Sequence, residues 1–75
     1  MPKLPHLSGN EIAKVLSKIG FQPVRQKGSH LILVKQLPQG DKALVVPLHR
    51  EVDIGTLIEI IRQAGLKREE FLALL

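Results

Sequence analysis

Six consecutive residues, Arg25-Gln26-Lys27-Gly28-Ser29-His30, gather a histidine, a hydroxyl, two cations and a glycine. No other window of this length holds as many groups able to bind a phosphate or move a proton. Histidine has an ordinary pKa near ~6.5, so both of its forms are available around neutrality and one imidazole can take up or release a proton. Cations beside it stabilise the charge that builds on a phosphorane-like transition state. The segment points to His30 working on a phosphodiester. Arg25 and Lys27 would supply positive charge, and the Ser29 hydroxyl and Gly28 N–H would hold a phosphate oxygen. The competing reading is a histidine that sits on a strand and bonds a carbonyl.

His49 is the second candidate. If the second and third strands pair antiparallel about a loop at 36–41, His49 falls near His30, and the two could share acid and base roles. The alternative is a structural His49 that holds the loop before the next helix. A metal site on the same pair would need a third ligand, for which Glu51 or Asp53 is the nearby carboxylate. The expectation is no metal and no cofactor. His6 has no partner that the sequence can name, and Lys14, Lys18, Arg50, Arg62, Lys67 and Arg68 read as solvated surface.

The chain that must position these groups has 75 residues, which predicts one domain near the lower size limit for a self-sufficient core. It has no cysteine, tryptophan or tyrosine, so disulfides and thiolate metal sites are excluded and the core must be aliphatic. Eleven Lys and Arg stand against seven Asp and Glu, a balance that favours polyanionic partners, chiefly nucleic acid. With only Phe21 and Phe71 as aromatics, a base-stacking platform is not expected. The N-terminus lacks the apolar stretch of a signal peptide and no apolar run can span a membrane, so a cytoplasmic protein with no membrane partner is the default.

Residues 1–7 read as an extended lead-in. Ser8-Gly9-Asn10-Glu11 fits a capping box, after which Ile12, Val15, Leu16 and Ile19 form one helical stripe that Gly20 stops. Residues 22–26 suggest a strand, in which Pro23, lacking an N–H, points to an edge strand or a strand start. Lys27-Gly28 is the expected hairpin turn, and residues 29–36 are the strongest strand signal. Alternation puts His30, Ile32 and Val34 on one face and Ser29, Leu31 and Leu33 on the other. Both faces are apolar in mid-strand, so the pattern leaves open which one meets the helices. Residues 42–47 make a third strand. Asp53 caps a second helix with a stripe at Ile54, Leu57, Ile58 and Ile61. Residues 67–74 make a short third helix with Phe71 and Leu72 facing in, and Leu75 as a further candidate. The order predicts a small two-layer α+β domain, with both long helices on one face of a three-stranded antiparallel sheet.

Gly20-Phe21, Arg25, Gly28-Ser29-His30, Val46-Pro47-Leu48-His49, Gly55-Thr56-Leu57, Gln63-Ala64-Gly65-Leu66 and Glu70-Phe71 fall in an order and at a spacing that resembles the HicA (YcfA-like) mRNA interferase toxins. The likeness runs from about Ser8 to Leu75. It implies a fold similar to a double-stranded-RNA-binding domain and a ribonuclease that cuts mRNA, with His30 at the catalytic position. It also implies a HicB-type antitoxin that covers the site. Two other classes compete: a non-catalytic RNA-binding module of the same fold, in which His30 only touches the backbone, and a protein-interaction domain that uses the open sheet face.

Overall fold

The computed structural model describes residues 3–75; Met1 and Pro2 of the expected lead-in lie outside the described residues. The elements are α1 (Gly9–Ser17), β1 (Gln22–Lys27), β2 (His30–Lys35), β3 (Lys42–Pro47), α2 (Ile54–Gln63) and α3 (Arg68–Ala73). The strands form an antiparallel meander in the order β1-β2-β3, which leaves β1 on an edge, one of the two positions that Pro23 allowed. The expected two-layer α+β architecture is the one observed.

The capping box at the start of α1 forms in full. The Ser8 hydroxyl accepts from the Glu11 N–H at 3.1 Å, and Glu11 Oε1 accepts from the Ser8 N–H at 2.9 Å. Gly20, at φ 100°, ends this helix, and the Phe21 N–H reaches back to the Leu16 carbonyl while its ring is fully buried. Asp53 caps α2, its carboxylate accepting from the Thr56 N–H at 3.0 Å and the Thr56 hydroxyl at 2.8 Å.

Ile12, Val15 and Leu16 of α1 and Leu57, Ile60 and Ile61 of α2 close over Leu33, Leu44 and Val46 of the sheet. The face that carries Leu31 and Leu33 therefore looks at the helices. The face that carries His30, Ile32 and Val34 is bare.

Three expectations are corrected. The stripe of α2 is turned by part of a revolution: Ile60 is buried, and Ile58 is 42% exposed. Apolar residues at 54, 57, 58, 60 and 61 cover more than one helical stripe, and packing chooses among them. Leu75 is exposed, because α3 ends before it. The lead-in is part of the core: Leu4 and Leu7 are buried, and the Val52 N–H donates to the Leu7 carbonyl at 2.8 Å. That bridge gives His6 a partner, with its Nδ1 lying 3.5 Å from Glu51.

Two cations are absorbed by the scaffold. Lys35 and Lys42 stand directly opposite each other in the sheet. They diverge: Lys35 lies along Gly20 with its ammonium over the Phe21 ring, and Lys42 reaches towards Gly65. Each thus approaches the C-terminal end of a helix, where positive charge suits the dipole.

The capping hydrogen bonds hold the Glu11 and Asp53 carboxyls below their ordinary pKa values, and the hydrogen bond from Arg62 does the same for Glu59. A carboxyl depressed in the folded state adds stability above its unfolded pKa and loses it as pH falls through the folded one. The melting temperature should therefore drop on acidification below the usual carboxylate range. Asp53→Asn combined with Glu11→Gln keeps capping groups of similar shape that do not titrate, and should flatten the lower limb of a Tm-against-pH curve. A curve of unchanged slope would show that other groups set the acid sensitivity.

Candidate functional site on the bare sheet face

The turn that carries the candidate residues differs by one position from the expectation. Lys27 still belongs to β1 and pairs with His30, so the two turn residues are Gly28 and Ser29. Glycine at the first central position with φ 58° matches a type II′ turn, whose twist suits a hairpin. The Gln26 side chain braces the turn by donating to the Gly28 carbonyl at 3.1 Å. Open space surrounds Gly28, and Ser29 is exposed beside it.

The pairing register composes the face row by row. Lys27, His30 and Pro47 form the row nearest the turn, and Arg25, Ile32 and Val45 form the next. Gln22, Val34 and Ala43 form the last. Directly opposite side chains in such a pair have Cβ atoms about 4.5–5.5 Å apart, and diagonal neighbours about 7–8 Å. Lys27 is the direct neighbour of His30, and Arg25 is its diagonal one. Arg25, Lys27 and His30 are all exposed.

Arg25 and Lys27 reach this face because of one extra residue. Pro23 pairs with Leu33, yet Arg25 pairs with Ile32, so Val24 is a β-bulge. In an unbroken strand Arg25 and Lys27 would share the side of Pro23, which lies with Leu33 against α1. The bulge reverses that parity and turns both cations to the side of His30. No sequence signal marked the bulge beyond a proline followed by a β-branched residue.

His49 is not opposite His30; Pro47 is. The ladder continues one step further, with the Leu48 N–H donating to the Ser29 carbonyl at 2.6 Å. His49 follows, so it lies at the His30 end of the sheet but past its last pair. The His49 carbonyl accepts from the Gly9 N–H at 3.0 Å, and the His49 imidazole makes a minor contribution to lowering the Asp53 pKa. The two carboxylates considered as metal ligands are already engaged, Glu51 with His6 and Asp53 with Thr56. Among the described residues no group of three His, Asp or Glu side chains is placed to hold a metal ion.

The sequence reading gave Gly9 no role beyond its place in the cap. A Cβ on Gly9 would collide with the Pro47 carbonyl oxygen and lie 2.8 Å from the Leu48 Cα. The N-terminus of α1 thus rests directly on the backbone that leads from His30's partner to His49. A concavity of about 650 Å³ between β3 and α2 has Val45, Asp53 and Thr56 in its wall but does not reach His30. His30 stands on an open surface, which suits a polymer better than an enclosed small molecule.

Helix, three antiparallel strands and helix, with one sheet face bare and basic at one end, make a small α+β domain. Residues 9–66 match the family model described as HicA toxin of bacterial toxin-antitoxin. That match spans α1 to the end of α2, and the chain belongs to this family. Its role is therefore that of the toxin in a toxin–antitoxin pair, and an antitoxin partner is implied. No curated protein matches the sequence. Among the described residues no helix is long and apolar enough to cross a membrane.

Gly9→Ala should cost about 1–3 kcal/mol of stability, as overpacking against backbone usually does. Chemical denaturation of the two proteins measures it. Equal midpoints would mean that α1 lifts off β3 without penalty.

Proposed function

We propose that the chain is a one-domain, metal-independent endoribonuclease of the cytoplasm that cuts mRNA and is held inactive by a HicB-type antitoxin. The observation that carries this reading is the cluster of His30, Lys27 and Arg25 on the bare sheet face of a HicA-family toxin. His30 takes the proton of a ribose 2′-hydroxyl, whose oxygen then attacks the adjacent phosphorus. The bond to the 5′-oxygen breaks, leaving a 2′,3′-cyclic phosphate and a 5′-hydroxyl. Lys27 and Arg25 meet the charge on the non-bridging oxygens. The Gly28 N–H and the Ser29 hydroxyl, both at the exposed turn, hold the phosphate in place. The leaving oxygen needs a proton, and His49, at the same end of the sheet, is the candidate donor.

Duplex RNA is read through its shape and backbone, which a basic surface without exposed aromatics can do. The antitoxin would meet Arg25 and Lys27 with carboxylates, so its association rate should fall as salt rises.

Induced expression of the wild type should arrest growth and degrade mRNA, whereas His30→Ala, checked by its melting curve, should do neither. Purified protein should cut RNA in excess EDTA and leave 2′,3′-cyclic ends. Binding without turnover, unchanged in His30→Ala, would replace the enzyme with an RNA-binding module; 3′-hydroxyl ends would overturn the mechanism.

His49→Gln separates the two readings of His49. As the proton donor its loss should lower kcat by about 100-fold or more and alter the alkaline limb of the pH–rate profile. Full activity would assign His49 to the loop before α2.

A further inference from the structure

The cations and the histidine occupy only one side of the bare face. The rest of it is aliphatic. Ile32 lies between Arg25 and Val45, and Val34 lies between Gln22 and Ala43. Val24, raised by the bulge, shares a shallow concavity with Val34. Val24 is 60% exposed and Val45 46%, and they account for two of the four large hydrophobic side chains that the described residues leave in solvent.

RNA gives this strip nothing to do. Aliphatic side chains offer no hydrogen bond to phosphate or ribose, and bases stack on flat rings, of which this face has none. Both phenylalanines of the chain are fully buried elsewhere. An apolar strip that is half-buried at Ile32 and Val34 and exposed at Val24 and Val45, beside a charged rim, is instead the make-up of a protein interface, with an apolar centre and a polar edge.

The charge pattern narrows the occupant. The three strands carry four cations (Arg25, Lys27, Lys35 and Lys42) and no carboxylate, so the whole formal surplus of the chain sits on the sheet. With Lys35 and Lys42 drawn to the helix ends, Arg25 and Lys27 remain on the bare face. A second copy placed face to face would bring these like charges together. The fitting occupant is a different protein, apolar over Ile32 and Val45 and carboxylate-bearing over Arg25 and Lys27.

We infer that the strip of Val24, Ile32, Val34 and Val45 is the docking surface for the antitoxin and takes no part in RNA cleavage. The inference rests on the toxin reading above. It makes inhibition and catalysis separable on one face: the antitoxin is held by the aliphatic rows and closes His30 by lying across the neighbouring one.

The test uses the purified full-length chain with the purified antitoxin of its own toxin–antitoxin pair. Val24→Lys combined with Val45→Lys should weaken antitoxin binding about tenfold or more, while the initial rate of RNA cleavage stays within about twofold of wild type. In cells the variant should arrest growth even when the antitoxin is co-expressed. Should the lysine variant melt early, Val24→Thr with Val45→Thr keeps the β-branched shape and carries the same comparison. Unchanged antitoxin affinity overturns the inference. So does a cleavage rate that falls in step with affinity in a variant of wild-type melting temperature, which would return the strip to the RNA site. A wild-type dimer abolished by the variant would make a second copy the occupant and overturn it too. If wild type cuts no RNA but the variants still lose the antitoxin, the ribonuclease reading fails and the docking surface stands.

Discussion

Two short helices can cover only one side of a three-stranded sheet, and the structure follows from which side that is. Ile12, Leu16, Leu57 and Ile60 close over Leu33, Leu44 and Val46, and this contact belongs to the one buried apolar cluster of the described residues. A strand has a period of two, so a shift of one residue would exchange the faces completely. Burying Leu33 therefore exposes His30, with no further instruction needed at His30 itself. The interaction that holds the protein together also presents the candidate chemistry to solvent.

The first strand obeys a different constraint. As an edge strand with every residue exposed, it gains little from burial, and its facing is set by local geometry. Val24 supplies that geometry. By adding one residue it lets Pro23 stay on the helix side while Arg25 and Lys27 turn to the other. Positive charge and imidazole are thus assembled by a hairpin turn at one point and a bulge at another. Neither involves the core, so the site can be tuned without disturbing the packing beneath it. The same bulge raises Val24 beside Val34, which joins an aliphatic strip to the basic row.

The far end of the site is fixed by close approach. Gly9 brings the start of α1 against Pro47 and Leu48, and its N–H is satisfied by the His49 carbonyl. The short bridge between Leu7 and Val52 ties down the segment that follows. His49 is therefore held between two anchored backbones, and its distance from the His30 row depends on them rather than on the sheet. For a chain of 75 residues, drawing the N-terminal segment into the core in this way also adds apolar area that the helices alone could not bury.

The sequence by itself determined the elements and where most of them stop. Ser8 with Glu11, Asp53 with Thr56, Gly20 and the apolar runs act within a few residues of themselves, so their effect is written locally. It also singled out the segment that holds the candidate chemistry, because a histidine, a hydroxyl and two cations in six positions need no fold to be noticed. The family could be recognised on the same ground, from motifs in order along the chain. Only the tertiary structure decided which face carries His30, since both faces of β2 are apolar in mid-strand and the choice depends on what two distant helices bury. It alone turned Arg25 and Lys27 towards the histidine, because a bulge is defined by the pairing of two strands and has no meaning in one. The rotation of α2, the burial of Leu4 and Leu7 and the closeness of Gly9 to Pro47 were hidden for the same reason. Each is a relation between residues far apart in the chain, and local pattern carries no record of it.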